Sequence, residues 1–258
     1  MPGDEPDPLR RRVYRYPPVI EAMCRLQWST PIRWDLMTPG QVNERVRRQY
    51  PAEPKAQSSL RANLAPGTNV ALQLTAGPQQ QLVFGNEEEN RLLVIAPDAV
   101  SAHGLSPYEK WPSLLGRFDD GLQLLRDLLP TGDCVSMVGL RFINRITIEE
   151  QRWDFPDYVN LDLKLPDGIP SDINSFFQRT EIPYPGENTV LALSWTTVAP
   201  DIPGTCAFVL DLDFVHQPGV PISQEMAKEI LVDLKTKEGR AFEALITEKL
   251  RERFVEVS

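Results

Sequence analysis

Two stretches of the sequence place charged side chains at alternate positions among apolar ones. VGLRFINRI, which begins at residue 138, carries Arg141, Asn144 and Arg145. VLDLDF carries Asp211 and Asp213 on alternate positions. Arginine binds carboxylates and phosphates through paired N–H donors, and carboxylates are the ligands that Mg²⁺ prefers. The arginines could therefore bind an anion or an acidic partner, and the aspartates could bind a metal ion.

The same residues also have a purely structural interpretation. In an antiparallel sheet with one buried face, apolar and polar positions alternate along each strand. The arginines and aspartates could pair across such a sheet, and each pair contributes only ~0.2–1 kcal/mol, which fixes the register more than the stability. Asn144 favours a functional role, because it falls on the apolar side of its strand and must find hydrogen-bond partners there. Whether the charged face is covered, concave or flat decides between the two interpretations.

Glu21 is a further candidate, in the segment PPVIEA at the entrance of a predicted strand. Its carboxylate could pair with an arginine of VGLRFINRI. Such a pair would be either a structural anchor for the first strand or part of a site in which Glu21 acts as a base or a metal ligand. The candidate residues for binding a ligand or a partner are thus Glu21, Arg141, Asn144, Arg145, Asp211 and Asp213.

Established catalytic and cofactor-binding motifs do not occur in the sequence. The two histidines, His103 and His216, are far apart in the chain and outside any GxSxG motif, so we expect both to be polar residues at strand ends. The phosphate-binding patterns GxxxxGK(S/T) and GxGxxG are also missing. We therefore predict no catalytic residue, no metal ion and no cofactor, and we expect a binding function rather than an enzyme.

The composition is that of a folded protein with an acidic surface. Of the 258 residues, 41% are hydrophobic and 24% are charged, and the net charge is −9. Because neutralised phosphates supply most of the affinity for nucleic acids, this charge argues against a nucleic-acid partner. One basic run, Arg10 to Arg12 followed by Arg15, could contact an acidic surface but is more typical of a solvated arm. No apolar stretch approaches the ~18 residues of a membrane-spanning helix, so we expect no membrane partner.

The three cysteines predict a reducing compartment. Cys24, Cys134 and Cys206 are far apart, form no CxxC pair and each lie beside an apolar run. Buried free thiols are the expected state, since disulfides form mainly in oxidising compartments. The N-terminus also shows no signal-peptide pattern, and we therefore predict a cytoplasmic protein.

Periodicity predicts many short strands and two long helices. Alternating apolar residues indicate strands up to residue 28, in several segments from NVALQLT to residue 105, in VSMVGLRFINRITI, and in three later segments that end at residue 216. Helical periodicity extends over 111–129 and 223–254. This element order predicts an α+β fold, namely a mainly antiparallel sheet covered by long helices.

The domain organisation follows from the same pattern. Residues 1–12 are predicted to form a disordered N-terminal arm, and residues 13–258 a single α+β domain. A β-meander followed by a long helix occurs twice in the predicted order. The domain could therefore consist of two pseudo-repeated halves, 13–132 and 133–258, although the two halves show no repeat of individual residues.

Three segments, PPVIEA, GLRFINRI and the C-terminal AFEALITEKLRERF, resemble those of an uncharacterised, sporadically distributed bacterial protein family of about this length. Members of that family share a PP(I/V)xEA element near the N-terminus, a central GLRYxNRI-like strand and a closing helix. PYEKW and VLDLDF are also similar, and the chain has Phe142 where the family often has tyrosine. The resemblance covers nearly the whole chain. It implies a bacterial cytoplasmic protein whose gene is mobile or defence-associated, and it implies no reaction.

These observations lead to two functional hypotheses. The first is a non-catalytic cytoplasmic interaction protein with an unidentified protein partner, for example an accessory factor of a mobile or defence-associated system. The alternative is a small-molecule-binding protein or an enzyme. In that case Arg141 and Arg145 would hold a small anionic ligand, and Asp211, Asp213 or Glu21 would act as a base or metal ligand. A flat charged sheet face would favour the first hypothesis, and a closed polar cavity over the sheet would favour the second.

Overall fold

The computed structural model of the protein describes residues 12–59, 79–150, 154–162, 165–168, 173 and 175–257. The strands are β1 (Val19–Trp28), β2 (Lys55–Ser59), β3 (Gln79–Gly85), β4 (Arg91–Ala96), β5 (Ala99–Leu105), β6 (Val135–Ile148), β7 (Phe177–Pro183), β8 (Thr189–Val198) and β9 (Cys206–His216). The helices are α1 (Thr38–Val46), α2 (Trp111–Leu125), α3 (Phe155–Tyr158), α4 (Gln224–Leu245) and α5 (Glu248–Phe254). Except for Arg12, the predicted disordered arm lies outside the described residues, as does the predicted strand NVALQLT.

The strands form one nine-stranded antiparallel sheet in the order β2-β3-β4-β5-β1-β6-β9-β8-β7. β1 and β6 are neighbours at its centre. β5, the last strand of the first meander, pairs with the other edge of β1, and β9, the last strand of the second meander, pairs with the other edge of β6. The two central strands therefore connect the two halves of the chain.

Alternation of side chains gives the sheet a core face and an open face. The core face carries apolar residues of every central strand, such as Leu26, Leu140 and Leu212, each fully buried. Helices α2 and α4 pack against this face through residues such as Phe118 and Leu234. The open face carries the intervening, mainly polar residues and is the side opposite to these helices. The predicted division of VGLRFINRI into an apolar and a polar side is confirmed.

The prediction of a sheet covered by long helices is wrong. Strands make up 36% of the structure and helices 27%, and the helices do not cover the sheet. All residues of the edge strand β7 are exposed or half-exposed. Among the described residues, the first meander contains the four strands β2 to β5 and the second contains the three strands β7 to β9. The fold is mainly a broad antiparallel sheet with helices against part of one face.

Both predicted long helices are shorter than their apolar periodicity indicated. α2 ends at Leu125 rather than at residue 129. The helix predicted at 223–254 is interrupted, because Ile246 forms an isolated β-bridge with Val159. The hydroxyl of Thr247 then accepts a hydrogen bond from the backbone N–H of Leu250 and begins α5. Capping of this kind stabilises a new helix start, and the periodicity continues across the break because both helices bury the same side.

Two expectations based on composition can be compared with the structure. No helix among the described residues is long and apolar enough to cross a membrane. The three cysteines are free thiols, and burial is complete for Cys24 and Cys134 but only partial for Cys206. Burial raises the pKa of the Cys134 thiol, so this group stays protonated and unreactive near neutral pH.

The contact between α2 and β4 can be tested at Gly121. A Cβ atom added at this glycine would lie 3.1 Å from Cδ1 of Leu93, which is tighter than most carbon contacts. We expect Gly121→Val to lower the free energy of unfolding by ~1–3 kcal/mol, because the larger side chain forces the helix away from the sheet. Urea denaturation of both proteins measures this difference.

Gly116 on the same helix is the matched control. It is exposed, and no atom lies within 4 Å of an added Cβ. Gly116→Ala should therefore raise the stability by ~0.5–1 kcal/mol through helix propensity alone. Equal stability of Gly121→Val and the unsubstituted protein would contradict the close packing of α2 on β4.

Candidate functional site

Arg141 and Asp211 form a two-point ion pair on the open face. Nε and Nη2 of Arg141 donate to the two carboxylate oxygens of Asp211 at 2.9 and 2.6 Å. The side chain of Arg141 is 40% exposed and that of Asp211 is 13% exposed. This arrangement confirms the predicted cross-strand pairing for Arg141, and its charge is already neutralised within the sheet.

Asp213 lies directly opposite Arg141 in the strand register, yet the arginine bonds to Asp211 instead. Asp213 is half-buried, and this desolvation raises the pKa of its carboxyl above the ordinary value. The charges of Arg141 and Arg25 oppose the shift without cancelling it, while Asp211 adds to it. The open face therefore contains one carboxylate held by an arginine and another whose charged form is disfavoured.

Glu21 has a different partner from the predicted one. Its Oε1 atom lies 2.7 Å from Nδ1 of His103 on β5, and Nε2 of the same ring lies 2.8 Å from the hydroxyl of Ser101. The hydrogen bond with His103 lowers the pKa of the Glu21 carboxyl, and the charge of Arg141 contributes only a smaller electrostatic effect. The expected Glu21–arginine pair is thus replaced by a Glu21–His103–Ser101 chain.

The remaining two candidate residues lie apart from this group. Arg145 is on the open face, but its guanidinium donates to the Ala199 carbonyl at 2.8 Å and pairs with the exposed Asp201 at 2.9 Å. Asn144 is on the core face and only 2% exposed. Its Nδ2 donates to the Leu210 carbonyl at 3.3 Å. The six candidates therefore divide into Glu21, Arg141, Asp211 and Asp213 together on the open face, Arg145 near one end of it, and Asn144 on the opposite side.

The predicted alternative of a carboxylate–metal site has no geometric support in the described part of the chain. There, the histidine, cysteine, aspartate and glutamate side chains form no group of three or more that could hold a metal ion. The carboxylate of Asp211 accepts a hydrogen bond from Arg141, and the carboxylate of Glu21 is hydrogen-bonded to His103. Both groups are hydrogen-bonded to protein partners that a metal would have to replace.

A cavity of about 290 Å³ lies beside Asn144 on the core face and opens to the surface past Val13, Lys110 and Pro112, which are exposed. The walls come from four parts of the chain, which are the segment 12–19, residues 108–112 at the start of α2, the centre of β6, and the middle of α4. Most of the wall is apolar and includes the rings of Trp111, Phe142 and Phe242. The cavity is thus a partly open, mainly apolar space between the sheet and the helices, and its wall also contains polar and charged side chains, among them Asn144, Lys235, Glu238 and Glu243.

A buried ion pair lies in the α4 wall of this cavity. The ammonium of Lys235 bonds to the carboxylate of Glu238, and the two residues are 8% and 4% exposed. The same ammonium lies 4.4 Å from the centre of the Phe142 ring, within the range of a cation–π contact. Removing two charges from water is costly, and the hydrogen bond between the pair and the contact with the Phe142 ring offset part of that cost.

The N-terminal segment closes the cavity on another side. The hydroxyl of Tyr14 donates to the Glu243 carboxylate at 2.9 Å, and Nε of Arg251 donates to the same carboxylate at 2.8 Å. Burial, together with the neighbouring Glu243 charge, raises the pKa of Tyr14 far above its ordinary value. Backbone hydrogen bonds from Arg15 to Val255 join the segment to the C-terminus. The segment is therefore attached to α4 and to the chain end by a buried polar network.

Sequence patterns pointed to Asn144 but not to the rest of this cavity. Lys235 and Glu238 lie in a helix with many charged residues, so their residue types alone did not distinguish them as buried or functional. Their positions on the buried side of α4 were the available clue, because they interrupt its apolar stripe. The spacing of Ser101 and His103 was also a sequence clue, since residues at i and i+2 of a strand share one face.

No protein-family model matches the sequence, and no curated protein matches it either. The resemblance to a sporadically distributed bacterial family therefore stays a prediction, as does the bacterial and cytoplasmic origin that it implies. The case for a function rests on the geometry of the cavity and of the open face.

The two aspartates of β9 are predicted to have opposite effects on stability. Asp211→Asn removes a charge-assisted pair with Arg141, which should lower the free energy of unfolding by ~1.5–3 kcal/mol at neutral pH. Asp213→Asn should raise it at neutral pH. Burial raises the pKa of Asp213 in the folded protein, so ionisation of this carboxyl is less favourable there than in the unfolded chain. The free energy of unfolding therefore falls as the pH rises above the unfolded-state pKa of ~3.9.

Urea denaturation at several pH values tests this pair of substitutions. The advantage of Asp213→Asn over the unsubstituted protein should shrink as the pH falls below ~4, where Asp213 is protonated in both the folded and unfolded states. The neighbouring Asp211→Asn provides the control, since it removes the same charge from the same strand. A stability loss of equal size in both variants at neutral pH would contradict the assignment.

Proposed function

We propose that the protein binds a small, mainly apolar molecule with one acceptor group, a carboxylate or a carbonyl, in the cavity beside Asn144. The single observation that carries this proposal is a cavity of about 290 Å³ whose apolar wall contains a buried asparagine and a buried lysine. A concave, mainly apolar pocket with a small number of polar groups in its wall is a candidate ligand site.

The size of the cavity limits the ligand. Pockets for drug-sized ligands have volumes of ~300–1,000 Å³, so this cavity is at the lower end of that range. A single aromatic ring or a short branched aliphatic chain with one polar substituent fits this volume. The rings of Trp111, Phe142 and Phe242 supply the apolar contact surface for such a ligand.

The polar groups of the wall determine which end of the ligand is recognised. An asparagine amide has two N–H donors and a carbonyl acceptor, and Asn144 uses one of its donors on Leu210. An ammonium has three donors, and Lys235 uses one of them on Glu238. The other N–H groups of Asn144 and Lys235 suit a carboxylate or carbonyl oxygen placed against β6. Burial would make such hydrogen bonds selective, because a ligand without an acceptor would leave these donors unmatched.

The open face gives less support to the interaction hypothesis. Arg141, its principal cation, is neutralised by Asp211, and Arg145 is held by Ala199 and Asp201. An acidic partner would have to displace these contacts before it gained any electrostatic energy. A protein partner, and a role in a mobile or defence-associated system, therefore stay predictions.

Native mass spectrometry and thermal unfolding test the proposed ligand site. The purified protein is measured with a panel of short aromatic and branched aliphatic carboxylic acids and their amides. We expect a one-to-one complex and a raised melting temperature for at least one member, since a ligand at ~100 times its Kd stabilises by ~2.7 kcal/mol. Asn144→Leu should lose this complex, because leucine has a similar volume and no donor.

Arg145→Ala is the matched control, because residue 145 is the next position on the same strand and faces the opposite side. It should bind the ligand as the unsubstituted protein does. Equal binding by Asn144→Leu, or no complex with any member of the panel at millimolar concentration, would refute this ligand class for the cavity.

A second variant separates recognition of the acceptor from apolar filling. Lys235→Met combined with Glu238→Leu replaces the buried ion pair by apolar side chains, an exchange that is often neutral or stabilising. We expect the folded double variant to bind the carboxylic acids at least ~10-fold more weakly while its affinity for uncharged aromatic analogues changes little. Unchanged affinity for the acids would exclude Lys235 from the site.

A further inference from the structure

Glu21, His103 and Ser101 form a carboxylate–imidazole–hydroxyl chain on the open face, away from the cavity. The His103 ring lies between the other two groups, at 2.7 Å from Glu21 and 2.8 Å from Ser101. Ser101 and His103 are alternate residues of β5 and therefore share a face, and pairing of β5 with β1 brings Glu21 alongside them. The order of hydrogen bonds is that of a nucleophile, a base and a group that orients the base.

The ionisation of Glu21 determines the proton positions in this chain. Its lowered pKa keeps the carboxylate charged at neutral pH, so Nδ1 of His103 must donate to it. In a neutral imidazole the other nitrogen, Nε2, is then an acceptor. When His103 is neutral, the hydroxyl of Ser101 therefore donates its proton to Nε2. This is the tautomer in which a histidine can remove a proton from a serine.

We propose that Ser101, His103 and Glu21 constitute a hydrolytic site on the open face, which cleaves small esters with short aliphatic acyl groups. Ser101 is the nucleophile, His103 is the general base, and Glu21 is a positioning residue that acts through His103. The site is independent of the cavity, because the two lie on opposite faces of the sheet.

The cation that lies opposite Ser101 in the strand register of β1 and β5 is Arg25, which lies on the same face. On its other side Arg25 pairs with Gly139, where a Cβ atom would lie only 3.7 Å from Nε of the arginine. The missing side chain at this glycine leaves room for the guanidinium above the sheet. The guanidinium donates to Sδ of Met137 at 3.5 Å, so it lies towards β6 and would have to turn towards β5 before it could stabilise an oxyanion at Ser101.

The neighbouring strand β4 determines the acyl group. Leu92 lies opposite His103 and Val94 lies opposite Ser101, and both are partly exposed on the open face. They form an apolar surface of about two side chains beside the hydroxyl. Ser101 is only 6% exposed, so a bulky acyl group could not reach it. The geometry therefore suits acetyl to butyryl esters.

The reaction on these groups is a complete hydrolysis. Oγ of Ser101 attacks the ester carbonyl carbon as its proton moves to Nε2 of His103, and the carbonyl bond opens to an oxyanion. The oxyanion collapses, the alkoxide leaves with the proton from His103, and an acyl ester of Ser101 remains. Water then attacks this ester while His103 accepts its proton. Release of the carboxylic acid returns the proton to Ser101, so an ester and a water give an acid and an alcohol.

Covalent labelling of the full chain tests this site directly. The folded protein is incubated with a small alkyl fluorophosphonate, which phosphonylates activated serines with loss of fluoride, and the adduct is located by peptide mass spectrometry. We expect one adduct, on Ser101, together with turnover of p-nitrophenyl acetate. His103→Gln should lower the labelling rate by at least ~100-fold, because the general base is lost.

Two further variants separate a catalytic role from a structural one. Ser194→Ala is the matched control, because Ser194 is a similarly buried serine of the same face, opposite Asp211 and without a histidine bond in the described chain. It should label and turn over as the unsubstituted protein does. Glu21→Gln should slow labelling by ~10-fold or more, whereas Glu21→Asp, which restores a carboxylate, should recover part of the rate.

Each other outcome counts against the proposal. A folded protein that takes no label at Ser101 and does not accelerate p-nitrophenyl acetate hydrolysis has no nucleophile there, and the chain is then only structural. Labelling of Ser101 that is equally fast in His103→Gln shows a reactive serine without a base. Ligand binding in the cavity is unaffected by any of these results, so failure here leaves the proposed function intact.

Discussion

Pairing between β1 and β6 joins the two meanders of this protein into a single sheet, since the outer edge of each strand is occupied by β5 or β9. The same pairing brings PPVIEA and VGLRFINRI side by side. It places Glu21 and Arg141 on the open face, and Phe142 and Asn144 on the core face below the helices. Both candidate sites therefore depend on one register, and a shift by one residue would exchange their faces.

Buried polar groups stand in the wall of the cavity, at positions of β6 and α4 that otherwise carry apolar side chains. Asn144 stands in the apolar row of β6, and Lys235 and Glu238 stand in the buried stripe of α4. Burial of such groups is unfavourable unless they are hydrogen-bonded, and each of them has at least one partner. The proposed ligand, with one polar end, would meet these groups in the wall.

Electrostatics on the open face depend on burial and on which charged groups pair with one another. Arg141 lies near several carboxylates, but its ion pair is with Asp211. The neighbouring Asp213 is desolvated by burial without a comparable ion pair, and this raises the pKa of its carboxyl. The hydrogen bond with His103 lowers the pKa of Glu21, which is the opposite direction. Carboxyl groups with environments that push their pKa values apart are common where a protein performs acid–base chemistry. The face combines such a pair with a serine already bonded to the histidine.

Local patterns in the sequence predicted most of the described strands, though not β2, and which side of β6 is apolar, because side-chain alternation depends only on the backbone. They also marked Asn144 as exceptional and allowed cross-strand pairing of the arginines with the aspartates to be predicted, which Arg141 and Asp211 show. Helix ends and the extent of the helices were not predicted, because Ile246 leaves its helix to pair with Val159, a residue distant in the chain. Tertiary structure alone decided that His103, rather than an arginine, meets Glu21. That contact depends on which strands are neighbours and in which register, and pairing between distant strands leaves no trace in local periodicity.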